Sequence, residues 1–102
     1  MIIERNVFQL RFGAAKESIQ IWKEILDEAK KSNMHATEIR LLTDISGRAY
    51  TLVMEIHLKS FTDINPKNTI WVSSPRFQEL YQKFVPLCES AVREYYKIEQ
   101  LI

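Results

Sequence analysis

The stretch Ala49 to Leu58, AYTLVMEIHL, constrains the fold more than any other part of the chain. An apolar residue stands at every second position from Tyr50 onward, and the positions between include Glu55 and His57. Successive side chains of a β-strand point to opposite faces of a sheet. The alternation therefore predicts a central strand with one apolar face and one mixed, charged face.

Periodicity elsewhere predicts the other elements. Further strands are predicted over residues 3–12, 37–43 and 93–101, and helices over 14–32 and from Pro75 onward. Ser74 can cap the second helix, and Pro75 fits its first position. The apolar stripe of this helix continues to Ala91, so we expect a kink at Pro86 and not an end.

The resulting order is strand, helix, strand, strand, helix, strand. It predicts a ferredoxin-like α+β fold (βαββαβ), with an antiparallel sheet, both helices on one face and the first and third strands in the centre. The second and third strands should pair with an odd sum of residue numbers, through a tight turn centred on Ser46 and Gly47. Phe12 and Tyr50 are expected to face the helices. The predicted core is Phe8, Leu10, Trp22, Leu26, Leu52, Met54, Ile56, Leu80 and Phe84.

Size and charge narrow the classes of function. The chain of 102 residues and 12.1 kDa is expected to form one domain, residues 1–102. Its formal charge is +1, with both signs interspersed, which disfavours nucleic acid as a partner. No apolar run reaches the roughly 18 residues of a membrane span, and we expect a cytoplasmic protein. Cys88, the only cysteine, is expected to be a small buried hydrophobe, and the histidine spacing predicts no metal site.

The mixed face of the sheet, called the open face below, is predicted to carry Arg11, Arg40, Glu55 and His57, with Lys97 and Glu99 also on it. It lacks the aromatic rings that an RNA-recognition sheet displays. These charges could form a solvated lattice of ion pairs. They could also fill the interface of a homodimer in which two sheets meet. A third interpretation makes Glu55, His57 and Arg11 a general base with its orienting groups.

The opposite face is expected to direct two polar groups, Asn6 and Tyr81, into an apolar layer. Each needs a hydrogen-bond partner. Tyr81 could donate to a backbone carbonyl and Asn6 could lie in water at the strand end. The alternative is a ligand pocket, in which Asn6 and Tyr81 orient a carbonyl or hydroxyl group and Trp71 contacts a ring. The predicted pocket residues are Asn6, Trp22, Tyr50, Met54, Trp71 and Tyr81.

The element order and one segment carry a family resemblance. The segment Trp71 to Phe84, WVSSPRFQELYQKF, resembles the region of the dimeric α+β barrel superfamily where a tryptophan precedes a serine, an aromatic residue and the second helix. Members include antibiotic-biosynthesis-type monooxygenases, haem-degrading monooxygenases and NIPSNAP-like proteins. Asn6 resembles the first-strand asparagine of the haem-degrading branch. Tyr81 stands where that branch has its iron-binding histidine, so no haem or other cofactor is expected.

The resemblance implies a homodimer whose two sheets form one barrel. It also implies two alternatives for function. One is a NIPSNAP-like protein of unassigned activity that binds a small aromatic or quinone-like molecule. The other is a cofactor-independent monooxygenase of the antibiotic-biosynthesis type. The sequence identifies no catalytic residue and leaves open whether the chain is an enzyme.

Overall fold

A computed structural model describes residues 1–31, 36–60, 62 and 74–102, with the backbone alone for residues 36 and 37. The elements are, in order, β1 (Ile2–Leu10), α1 (Ala15–Lys30), β2 (Ala36–Thr43), β3 (Thr51–Leu58), α2 (Pro75–Phe84), a 3₁₀ turn (Val85–Leu87) and β4 (Cys88–Lys97). The four strands form an antiparallel sheet in the order β2-β3-β1-β4. The predicted α+β order and the central position of β1 and β3 are confirmed.

Both helices cover the same face of the sheet. The ring of Phe8 on β1 stacks on Trp22 of α1, with ring centroids 5.3 Å apart, and meets Phe84 of α2 edge-on at 5.0 Å. Leu52 and Met54 of β3 are buried in the same cluster. The alternation that predicted an apolar face on β3 therefore identifies the face that packs against the helices.

The β2–β3 pairing has the predicted parity and a wider turn. Leu41 pairs with Met54 and Arg40 with Glu55, so paired numbers add to 95. Burial fixes this sum as odd, because a shift of the register by one residue would turn the Arg40 side chain into the core. The prediction of a tight turn centred on Ser46 and Gly47 is wrong. Residues 45–50 form a longer loop, in which Gly47 and Tyr50 both have a positive φ, of 91° and 57°.

Helix α2 begins as predicted and ends earlier. The Ser74 hydroxyl accepts a hydrogen bond from the Phe77 backbone N–H at 3.1 Å, and Pro75 takes the first helical position. The expected kink at Pro86 is wrong, because the helix ends at Phe84. Proline has no N–H to continue the helix, and its ring clashes with the preceding turn. Of the apolar residues beyond it, Leu87 ends the 3₁₀ turn, and Cys88 and Ala91 belong to β4, which begins at Cys88 and not at residue 93.

One core assignment, Leu26, and one predicted orientation, that of Phe12, also need correction. Leu26 is only half-buried, since the buried stripe of α1 runs through Ser18, Trp22, Ile25 and Ala29. Phe12 is 90% exposed. The reason for its exposure is that β1 ends at Leu10, so the alternation of strand faces no longer applies two residues later.

The prediction that Lys97 of β4 lies on the open face is wrong. Lys97 pairs with Ile2, and Tyr96 pairs with Ile3. Because paired residues share a face, Lys97 lies on the helix side and Tyr96 on the open side. Strand β4 is an edge strand and almost all of its residues are exposed, so burial does not select its facing.

Candidate functional site

The helix side of the sheet contains an aromatic layer, which we define as Phe8, Trp22, Phe77, Tyr81 and Phe84. Trp22 is at the centre of these contacts. Phe84 and Tyr81 meet its ring nearly at right angles, at centroid distances of 5.4 and 6.4 Å. Tyr81 is half-buried and stacks on Phe77 at 5.5 Å. The structure therefore brings together Trp22 and Tyr81, two of the predicted pocket residues.

Two polar groups inside α1 have no hydrogen-bond partner in the part of the chain that the structure describes. Ser18 is 0% exposed and Trp22 is 2% exposed. Neither Ser18 Oγ nor Trp22 Nε1 has a hydrogen-bond partner among the described residues. The two residues are separated by one helical turn, so their side chains are neighbours on the buried stripe. An unsatisfied buried donor costs about 1–3 kcal/mol, which makes this pair unusual in a packed core.

Asn6 is buried beside the aromatic layer, and its amide is fully engaged. It pairs with Met54 on β3 and shares its sheet face with Phe8. Asn6 Nδ2 donates to Glu4 Oε2 at 3.0 Å, and Asn6 Oδ1 accepts from Arg93 Nε at 2.9 Å. Protein neighbours thus satisfy both ends of the amide, and the strand does not fray into water at this position.

The same polar network extends to the edge of the sheet. Tyr95 Oη donates to Glu4 Oε1 at 2.9 Å. Burial, the hydrogen bond to Glu4 and the charge of Glu4 together raise the pKa of Tyr95, so its hydroxyl remains a donor. Arg93 and Tyr95 are both exposed on the helix side of β4. We call Glu4, Asn6, Arg93 and Tyr95 the polar network.

The two remaining predicted pocket residues are Tyr50 and Trp71. Tyr50 is at the end of the sheet, where its ring contacts Phe12 at 5.0 Å and its carbonyl accepts from the Leu10 N–H at 2.8 Å. It is half-buried and packs against the edge of the core. Trp71 lies outside the described residues.

On the open face, Glu55 is 2% exposed and is bound by both neighbouring strands. Arg5 on β1 donates from Nε and Nη2, at 3.0 and 2.7 Å, and Arg40 on β2 donates at 2.8 Å. His57 Nε2 lies 3.5 Å from the same carboxylate. Burial raises the pKa of Glu55, but the hydrogen bonds from the two arginines outweigh it, and the pKa is lowered. The carboxylate therefore stays charged and is a poor general base at neutral pH.

Arg11 does not join this cluster. It follows the end of β1, and its Nε donates to the Pro86 carbonyl at 2.7 Å. Arg5 takes the expected place, and its odd number, shared with Val7 and Gln9, could have shown that it faces the same way.

An apolar row crosses the open face beside the charged cluster. Leu42 pairs with Val53, Val53 with Val7, and Val7 with Val92, so the row spans all four strands. Val92 is 58% exposed. The neighbouring row, built in the same way, alternates in charge: Arg40, Glu55, Arg5 and Glu94.

Sequence reasoning missed Ser18, Glu4 and Arg93. Glu4 and Asn6 both have even numbers on β1, so the alternation of strand faces could have predicted that they lie on the same side. The Arg93–Asn6 contact joins residues 87 positions apart and has no local signal.

Other site types have less support. Within the described residues, no three His, Cys, Asp or Glu side chains are placed to hold a metal ion. Burial raises the pKa of the Cys88 thiol, which disfavours the nucleophilic thiolate. Neither described helix is both long and apolar enough to cross a bilayer.

Comparison with solved structures identifies the fold. The chain superposes with a TM-score of 0.82 on an uncharacterized NIPSNAP domain protein from Burkholderia xenovorans, at 16% identity, over 100% of this chain and 98% of that one. The chain therefore shares the α+β fold of this protein, with its four-stranded antiparallel sheet and two helices. A NIPSNAP family protein of unknown function from Agrobacterium tumefaciens gives a TM-score of 0.81 at 19% identity, over 96% and 87% of the two chains.

SnoaB, described as a cofactor-independent oxygenase from Streptomyces nogalater, gives a TM-score of 0.73 at 12% identity, over 99% and 95% of the two chains. At these identities the likenesses show the fold alone. A scan of protein-family models gives no match, and a comparison with curated proteins also gives none.

Proposed function

We propose that this protein is a cytoplasmic homodimer that binds a small aromatic or quinone-like molecule between the sheet and the helices of each subunit. The observation that supports ligand binding most is the border between the aromatic layer and the polar network. Asn6 and Phe8 are two positions apart on one strand and face the same side. A flat ligand could pack its ring on the aromatic layer and direct an oxygen toward the polar network. Apolar walls with a few polar groups are typical of small-molecule sites.

The polar network also defines which ligand groups could be recognised. Asn6 is already bound at both ends of its amide, so it acts by holding Glu4 and Arg93 in place. Arg93 is exposed, donates from Nε to Asn6 and also hydrogen-bonds the Tyr95 side chain. A carbonyl or hydroxyl group of the ligand would therefore interact with Arg93 or Tyr95 more readily than with Asn6.

The open face supports the homodimer. The row from Leu42 to Val92 is an apolar strip that the helices do not cover, and exposed apolar strips of this kind often mark protein interfaces. The adjacent charges are paired within one subunit, since Glu55 is bound by Arg5 and Arg40. Covering paired charges costs less than covering isolated ones, so a second sheet could pack on this face.

Native mass spectrometry of freshly purified protein tests both parts. We expect a species at about twice 12.1 kDa, with additional mass where a ligand is retained. A monomer without added mass at micromolar concentration would contradict the dimer and give no support to binding.

Binding of methyl naphthyl ketone, a stable aromatic carbonyl compound that does not react with Cys88, gives a direct test. We expect saturable binding by NMR titration, and a loss of roughly five- to thirtyfold in affinity for Tyr81→Ala, since an aromatic contact and its buried area are removed. Phe12→Ala is the matched control, because Phe12 is 90% exposed and outside the aromatic layer. Equal losses in both variants, or no saturation in the wild type, would contradict the site.

The likeness to SnoaB motivates the alternative of a cofactor-independent monooxygenase. Oxygen uptake with a naphthohydroquinone tests this alternative, with the rate of the protein-free solution subtracted. Uptake that exceeds this rate and falls in Tyr81→Ala would assign an oxygenase activity to the site. Binding without uptake would leave the protein a binding module.

A further inference from the structure

The unpartnered pair in α1 points to a specific recognition position for the ligand. We infer that Ser18 Oγ and Trp22 Nε1 together bind one neutral carbonyl oxygen of the aromatic ligand. This inference rests on the proposed function, and it adds a recognition position on α1 to the one offered by the polar network.

The placement of the two groups supports this assignment. Both residues are on the buried stripe of α1, one turn apart. Phe8, Tyr81 and Phe84 surround the Trp22 ring, and these ring contacts leave the indole N–H without a hydrogen bond in the described part of the chain. Tyr81 is half-buried and borders Trp22, so it marks the edge of the aromatic layer from which a ligand could reach the indole.

The chemistry of the two groups selects the kind of oxygen. The indole N–H can only donate, and the serine hydroxyl can donate as well as accept. A carbonyl oxygen has two lone pairs and could accept from both. The charged side chains nearest in sequence, Lys16, Glu17 and Lys23, are exposed, so no cation of α1 is buried beside the pair. A carboxylate would therefore lose its hydration without a compensating cation from α1, and a neutral ketone or quinone carbonyl fits better.

Two probes of the same shape separate this inference from the proposed function. Methyl naphthyl ketone carries the carbonyl, and isopropenylnaphthalene replaces its oxygen by CH₂. We expect the wild type to bind the ketone roughly three- to tenfold more tightly than the hydrocarbon, as one or two neutral hydrogen bonds would give. In Ser18→Ala this preference should shrink, while affinity for the hydrocarbon should stay the same. Ser90→Ala, at an exposed position on β4, is the matched control.

The indole resonance gives a second readout. The chain has two tryptophans, and Trp71→Phe assigns the Nε1–H signal of Trp22. The ketone should move this proton downfield relative to the hydrocarbon, because ring-current effects of the naphthyl group are common to both probes. The circular dichroism and melting temperature of Ser18→Ala confirm that the variant is folded.

The outcomes are distinguishable. Binding of both probes with equal affinity, an unchanged preference in Ser18→Ala or no difference in the indole shift would overturn this inference and leave ligand binding intact. Failure of both probes to bind would overturn the proposed ligand site itself, and this inference with it.

Discussion

Arg5 donates two hydrogen bonds to one carboxylate oxygen of Glu55, from Nε at 3.0 Å and from Nη2 at 2.7 Å. Arg40 donates to the other oxygen from the opposite side. Because β3 lies between β2 and β1, the carboxylate links the three strands through side chains as well as through the backbone ladder. Both arginines are roughly half-exposed, whereas the Glu55 side chain is almost fully enclosed.

The first prediction concerns acid stability. The pKa of Glu55 is lowered in the folded protein, so its contribution to the free energy of unfolding is fully present above the unfolded value near 4.3. The contribution should be lost as the pH falls from there through the folded pKa. Glu55→Gln should flatten this acid dependence and cost about 1–2 kcal/mol at pH 7, discounted because the arginines are partly in water. Urea unfolding from pH 7 to pH 3 measures both effects.

Glu99→Gln is the matched control for Glu55→Gln. The Glu99 side chain is 81% exposed and its carboxylate lies 3.8 Å from Lys97 Nζ, so the substitution should change neither the stability at pH 7 nor the acid slope. Identical acid slopes for the wild type and Glu55→Gln would contradict the role given to the carboxylate.

The second prediction compares two leucines. Leu52→Ala should lower the free energy of unfolding by about 2–5 kcal/mol, because Leu52 is fully buried and its truncation leaves a cavity. Leu26→Ala should cost about 1 kcal/mol, since this residue is half-buried and water can replace part of the lost side chain. Urea denaturation at pH 7 measures the difference. Equal costs would mean that the α1 stripe is assigned incorrectly.

The sequence predicted the fold where burial specifies the facing of a strand. On β3, a slip by one residue would exchange Leu52 and Met54 for Val53 and Glu55, a large loss of burial, so parity was predictable. On β4 most side chains are exposed, so burial does not decide which of them face the helices. The same reasoning therefore predicted the wrong face of the sheet for Lys97. The end of α2 follows from the geometry of proline, which prevails over the apolar stripe that continues past Pro86.

The candidate site was predictable only in part. Trp22 and Tyr81 were placed together because helical spacing puts both on buried stripes. The partners of Asn6 could not be found in this way, since Arg93 depends on the register of an edge strand. Ser18 was not predicted because a serine is usually expected on the exposed side of a helix, whereas this one is completely buried.

The third prediction tests the open face as an interface. If the protein forms the proposed dimer, Val92→Asp should convert it to a monomer in sedimentation experiments at micromolar concentration, because a carboxylate would be buried within the apolar row. The folded monomer should survive, since Val92 is 58% exposed in the single chain. Ile45→Asp is the matched control: Ile45 is fully exposed in the β2–β3 loop and should leave the association unchanged. A wild-type monomer, or equal weakening by both variants, would contradict the interface.

The last prediction concerns the amide of Asn6. Asn6 Nδ2 donates to Glu4 Oε2 at 3.0 Å, so Asn6→Asp would place two carboxylate oxygens at this distance in a buried position. One of the two carboxyls should then have a raised pKa, because like charges disfavour the ionised form, with Arg93 offsetting part of the repulsion. Below its unfolded pKa, about 3.9 for aspartate, such a carboxyl is protonated in both states and does not destabilise the folded protein. The free energy of unfolding then falls as the pH rises through the raised folded pKa. The variant should therefore lose about 1–3 kcal/mol between pH 4 and pH 7 relative to the wild type.

Asn6→Leu separates this effect from the loss of the amide, since it removes both hydrogen bonds without adding a charge. Its stability deficit should be nearly independent of pH. Urea unfolding of the three proteins at both pH values decides the matter: the same pH dependence for Asn6→Asp and Asn6→Leu would mean that Glu4 does not contact this position in solution.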